Sequence, residues 1–257
     1  MKNIHFQPVL RNRITIPLLE RHLALLFLLS MVFFSRCDLN FFDCIDGDQN
    51  VITVERSLNS FEEICSQGQF DLYVKQGDGT DLIIEAEENL IPYISTRVKR
   101  GRLVIDNADN RCLRPNLPMK VYITVPALEI LELEGSGSIT CDTFHIDDLT
   151  VNLLGSGVIN IAAGTSFLEV NLAGSGDIFL RGFADHTDLT ISGSGTIHAY
   201  DLEQNNCLVN ISGSGNMYVF VNELLDVHIT GSGDVNYRGT PDVRTRITGS
   251  GSVINDN

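Results

Sequence analysis

Tryptophan is absent from this chain, and no lysine follows Lys120. The first absence removes the broadest sugar-stacking side chain. The second reflects a shortage of positive charge: the formal balance is −15 overall, and −19 once the basic segment 1–36 is set aside. Such a surface repels phosphate backbones, which excludes nucleic acid as a partner, and it does not adhere to anionic membranes by charge alone. No C-x-x-C or Cys/His spacing occurs, so zinc and thioredoxin-like chemistry have no support. No serine sits in a G-x-S-x-G elbow, and no glycine-rich loop carries the lysine of a phosphate-binding loop. What remains is 257 residues, 43% hydrophobic and 20% charged, enough for a full core and unlike a disordered chain or a short disulfide scaffold.

The amino terminus carries an address. Residues 1–22 are basic, and Leu23–Phe34 is an apolar run of twelve ending at Ser35-Arg36-Cys37. A spanning helix needs about 20 apolar residues, so the run is too short to cross a bilayer. Basic region, short apolar region and cysteine follow the order of a secretion signal, here of lipoprotein type. Residues 1–36 are then the signal segment, and Cys37 is the expected lipid attachment point, making a membrane the first expected partner. The alternative is an ordinary cleaved signal with Cys37 incidental; Arg36 departs from the small residue usual before a lipid-bearing cysteine. Residues 37–57 are expected to be a tether.

Five other cysteines follow: Cys44, Cys65, Cys112, Cys141 and Cys207. Export to an oxidising compartment permits disulfides, and Cys65–Cys112 is the pair expected. Cys141 and Cys207 fall at apolar positions of the repeat described next, as small core fillers.

A Gly-Ser-Gly triplet recurs seven times, beginning at Gly135, Gly155, Gly174, Gly193, Gly213, Gly231 and Gly249. Two residues before each stand Leu133, Leu153, Leu172, Ile191, Ile211, Ile229 and Ile247. Two residues after each stand Ile139, Ile159, Ile178, Ile197, Met217, Val235 and Val253. Alternation at period two and β-branched enrichment mean strands, and no helical period interrupts them. A period near twenty leaves too little chain for helical crossovers or propeller blades. The reading is all-β: a right-handed parallel β-helix over residues 131–257, one turn per repeat, preceded by a strand-rich part over residues 58–130. The handedness follows from the general chirality of parallel crossovers. The final coil exposes strand edges, so either a homodimer or the strand-rich part is expected to cover it.

The ordered set Ser60-Phe61-Glu62-Glu63-Ile64, Phe70-Asp71-Leu72-Tyr73-Val74-Lys75-Gln76-Gly77, Ile123-Thr124-Val125-Pro126-Ala127-Leu128, the triplets and Tyr237-Arg238-Gly239-Thr240-Pro241 resembles the putative auto-transporter adhesin, head GIN domain family. The resemblance implies an exported or lipid-anchored β-helix protein in the envelope of a Gram-negative bacterium, adhesin-like and without a catalytic motif, cofactor or metal.

Candidate sites come from columns of stacked residues. Asn152, Asn171, Thr190, Ser192, Asn210 and Ser212 would form an outward strip able to meet a glycan or protein; the competing role is a ladder that stabilises the stack. Aromatic platforms are missing from that strip. Glu169 and Asp188 occupy equivalent positions of adjacent coils, so they could bind a cation, share a proton or serve a carbohydrate-active enzyme; solvated surface acids are the competing reading. Asp177 and Asp234 alone fit a calcium-type glycine/aspartate repeat and stand three coils apart, so metal binding is not expected. The histidines occupy different registers and are read as surface residues.

Overall fold

The structure is a computed structural model that describes residues 44–257. The signal segment and Cys37 lie outside the described residues. The first strands are β1 (Ile45–Asp46), β2 (Val51–Arg56), β3 (Glu63–Gly68), β4 (Phe70–Gln76), β5 (Asp81–Glu87) and β6 (Ile94–Lys99). Then come β7 (Arg102–Asn107), β8 (Leu113–Arg114), β9 (Met119–Val125) and β10 (Ile130–Gly135). The long winding strands are β11 (Ser138–Gly155), β12 (Val158–Gly174), β13 (Asp177–Gly193), β14 (Thr196–Gly213) and β15 (Asn216–Gly231). The chain closes with β16 (Val235–Arg238), β17 (Asp242–Gly249) and β18 (Val253–Asn255).

From β10 onward each strand pairs in parallel with its copy one coil later, and the triplets stack: Gly135 on Gly155, Gly155 on Gly174, Gly174 on Gly193, Gly193 on Gly213. This is the expected parallel β-helix. Leu133, Leu153, Leu172, Ile191, Ile211 and Ile229 are all buried in one core. The serines point outward between their glycines. The triplet has a steric cause. The first glycine of each has positive φ, +150° at Gly193, and a Cβ there would stand 2.3 Å from the Gly174 carbonyl oxygen one coil below. That oxygen accepts the N–H groups of Ser194 and Gly195 at 2.9 and 3.1 Å. Only glycine lets the corner lie this close.

Several polar residues enter the core with partners, whereas the buried Ser66 Oγ and Asn107 Oδ1 have none among the described residues. Thr187 Oγ1 donates to Gln204 Oε1 at 2.6 Å, and Thr165 Oγ1 lies 2.7 Å from the Asp147 carbonyl, to which it donates. Each is thereby spared the desolvation cost of an unmatched group.

The early coils are not stacked in chain order. β3 and β4 lie directly below β10 and the start of β11, with Gly68 under Gly135. The next coil down is formed by β7 and β9, which follow β4 in sequence. Beyond it, β6 runs antiparallel to β7 and β5 antiparallel to β9, with β2 antiparallel to β5. A parallel stack thus ends in antiparallel strands that close its first end, which blocks further parallel growth. The other end is different. Among the described residues nothing pairs with the outer edges of β17 and β18, and Ile247 is 41% exposed. The strand-rich part therefore does not cover the final coil.

Two expectations need correction. The described part of the segment read as a tether carries β1 and β2. Ile52 and Val54 alternate at period two, and Arg56 donates to the Ile94 carbonyl at 2.7 Å and to Thr96 Oγ1 at 2.8 Å. The polar run just before them masked this short strand. The disulfide joins Cys44 to Cys112, with Cα atoms 4.5 Å apart, and Cys65 is free and buried. Reading Cys44 as part of a tether removed the correct partner from consideration.

Candidate functional site

The residue three places after the second glycine of each triplet faces outward, because it follows the inward Ile, Met or Val by one step of a strand. The register places these residues in one column: Thr140, Asn160, Phe179, His198, Tyr218, Asn236 and Ile254. β4 and β9 extend it, with Tyr73 below Thr140 and Tyr122 below Tyr73. Five of the nine positions carry flat rings, in two stacks. Tyr73 and Tyr122 have ring centroids 5.1 Å apart at 19°. Phe179 stacks on His198 at 4.5 Å and 4°, and His198 on Tyr218 at 5.3 Å and 3°. Parallel strands about 4.8 Å apart impose this spacing on any ring repeated in register.

The second stack is braced. Tyr200 meets Tyr218 edge-on at 5.5 Å, and the Arg238 guanidinium lies 4.0 Å from the Tyr200 ring centroid. Tyr200 donates its hydroxyl to Asp256 at 2.8 Å, and Arg238 pairs with the same carboxylate at 3.3 Å. Burial, with Asp256 beside it, pushes the Tyr200 hydroxyl up to about 12 against the opposing pull of Arg238. A cleft of about 460 Å³ runs over Asn160, Phe179, Arg181, His198, Tyr200 and Arg238. A second, of about 220 Å³, is lined by Tyr73, Lys75, Tyr122, Thr140 and Asp142. Rings, hydrogen-bonding groups and both signs of charge on a rigid sheet suit binding. The fixed offset from the triplet was the signal that could have revealed this column in the sequence. Among the described residues the histidines do not stack on one another, but His198 stacks between two rings.

The anticipated strip lies on another outward face. Asn152, Asn171, Thr190 and Asn210 form one column, Ser192 and Ser212 its neighbour. Asn171 donates to Asn152 Oδ1 at 3.1 Å and to Glu169 Oε1 at 2.9 Å, so its amide hydrogens are engaged along the stack. Glu169 and Asp188 stand side by side in register. Burial raises Asp188 above the usual carboxylate range, with the Glu169 charge adding to it, while Asn210 donates to it at 3.3 Å. Neither acid lines the two clefts of the aromatic column.

Below that strip Cys65, Glu132 and Glu134 bring their ligand atoms within 4.8 Å of one another. The Arg102 guanidinium already hydrogen-bonds Glu132. Burial chiefly raises the Cys65 thiol to about 11, so sulfur is poorly available as thiolate. Glu132 is held below the carboxylate range: burial opposes this, and bonds from Glu134 and Arg102 with the Arg102 charge outweigh it. Glu134 is raised by its bond to Glu132 and by burial. The cluster could take a cation only by displacing Arg102.

A β-helix with a braced aromatic outer face is the class of protein that the geometry defines. Residues 60–241 match the family described as putative auto-transporter adhesin, head GIN domain, and the chain belongs to that family. No curated protein matches it. It is similar to the crystal structure of a putative adhesin from Bacteroides fragilis NCTC 9343, at 26% identity and TM-score 0.77, over 82% of this chain and 99% of that one. It is also similar to a putative lipid binding protein from Parabacteroides distasonis ATCC 8503, at 29% identity and TM-score 0.72, over 81% and 98%. A putative adhesin from Parabacteroides merdae ATCC 43184 shares the fold at 21% identity, TM-score 0.68, over 82% and 98%. The family and these neighbours are named for adhesion or binding, which suggests a protein that is not an enzyme and an envelope location.

Proposed function

We propose that the chain is a non-enzymatic binding module of the envelope of a Gram-negative bacterium, held at a membrane by a lipid on Cys37, that meets a glycan or protein ligand on its aromatic column. The observation that carries this reading is the two ring stacks set in register on a rigid sheet, each bordered by hydrogen-bonding and charged side chains. A family named for adhesion supports it. The open end formed by β17 and β18 makes a second copy of the chain a further candidate partner.

The competing enzyme reading rests on Glu169 and Asp188, which are adjacent and include one raised carboxylate. Assays on acidic and neutral polysaccharides with Glu169→Gln as control test it; turnover lost in that variant favours the enzyme. The binding reading is tested by adherence of cells displaying the full chain to glycan-coated and protein-coated surfaces. His198→Ala/Tyr218→Ala should abolish adherence, and unchanged adherence overturns the reading. Mass spectrometry of the native amino terminus tests the lipid on Cys37, and an unmodified Cys37 removes the anchor.

A further inference from the structure

The two ring stacks are separated by two coils without rings. Thr140 and Asn160 fill the column between Tyr73 and Phe179, which places those rings roughly 14 Å apart at about 4.8 Å per coil. Each is already stacked on its far side, Tyr73 on Tyr122 and Phe179 on His198. The ring face left over on each therefore looks along the column toward the other. Tyr73 is 40% and Phe179 37% exposed.

The two walls also match in chemistry. Outward residues alternate along a strand, so one wall presents Asp71, Tyr73 and Lys75, and the other Asp177, Phe179 and Arg181. Each reads acid, ring, base in the same order, with the acids and the rings in register three coils apart. The floor between them is formed by Ser138, Thr140, Asp142, Val158, Asn160 and Ala162, all small or medium side chains. Asp71 already accepts from Ser138 Oγ at 2.5 Å, which fixes its carboxylate at the trough edge.

Resting on the proposed binding function and narrowing it, we propose that this trough is a subsite for a short neutral saccharide, one sugar face packed against each ring. Sugar C–H groups pack on ring faces, and hydroxyls both donate to carboxylates and accept from lysine and arginine. Asp71, Asp142 and Asp177 stand against Lys75 and Arg181, a slight negative excess that disfavours an anionic ligand and leaves a neutral one suited. Allowing carbon contacts of about 3.5–4.0 Å at either ring leaves roughly 6–7 Å across the trough, a width suited to about two pyranose units.

Calorimetry with the full chain and cellotetraose, maltotetraose or diacetylchitobiose tests the inference. Tyr73→Ala and Phe179→Ala should each weaken binding about tenfold or more. Asn160→Phe should abolish it by filling the trough, while the thermal midpoint holds or rises because the new ring joins an existing stack; this variant separates blockage from misfolding. Binding that survives Asn160→Phe, or wild-type protein that binds none of the three, overturns the trough. The adherence assay with His198→Ala/Tyr218→Ala is independent: adherence lost there, with no saccharide bound, leaves the binding module standing and removes only this subsite.

Discussion

Gly193→Ala tests the claim that the triplets exist to let corners stack. The added Cβ would stand 2.3 Å from the Gly174 carbonyl oxygen. Relief to ordinary contact requires a shift of about 1 Å, enough to break the two hydrogen bonds that this oxygen accepts from Ser194 and Gly195. Each such bond contributes about 1 kcal/mol. Holding a non-glycine residue at φ +150° adds about 1–3 kcal/mol. The expected loss is about 4 kcal/mol, which lowers the melting midpoint by about 10 °C for a unit of this size. Ser194→Ala, one residue away and exposed, should move it by less than about 2 °C. Circular dichroism melts of wild type and both variants decide. If Gly193→Ala melts within about 2 °C of wild type, the glycines are not a steric requirement and the columns built on them lose their basis.

The Cys44–Cys112 bridge closes a loop with a sequence separation of 68, so the pair Cys44→Ser/Cys112→Ser should cost about 4 kcal/mol in a chain-entropy account, seen in chemical denaturation; no change under oxidising conditions refutes it. Two carboxylates should respond to pH with opposite sign. Burial would raise Glu87, but N–H groups of Gln49, Asn116 and Leu117 hold it below the carboxylate range. It therefore stabilises above its unfolded value, and this contribution is lost as pH falls through the lowered folded value. Glu87→Gln should destabilise at pH 7 and converge with wild type in strong acid, read from melting midpoints across pH. Glu134 is raised beside Glu132, so its contribution is present below the unfolded value and lost as pH rises through the folded one. Glu134→Gln, which keeps a donor toward Glu132, should raise the midpoint at pH 7 and match wild type near pH 3; a lower midpoint at pH 7 contradicts the coupling. At the open end, sedimentation of the full chain should show a dimer that Ile247→Glu dissociates, and a wild-type monomer removes the second copy as a partner.

Seven triplets with apolar residues at offsets of two were enough to specify parallel coils and a single core, because period and parity are local properties of strands. Cys141 and Cys207 were legible as core residues for the same reason. The Cys44–Cys112 bridge and the placement of β7 and β9 below β3 and β4 were not, since nothing in one dimension reports which strands meet after an intervening excursion. The aromatic column lay between these cases. Its later members share a fixed offset from the triplets, but Tyr73 and Tyr122 belong to strands without a triplet, and only register brings them into line with Phe179. Local alternation thus determined the coil and its inward faces. Tertiary pairing decided which side chains from distant segments share an outer column, because stacking follows from hydrogen-bonded register rather than from distance along the chain.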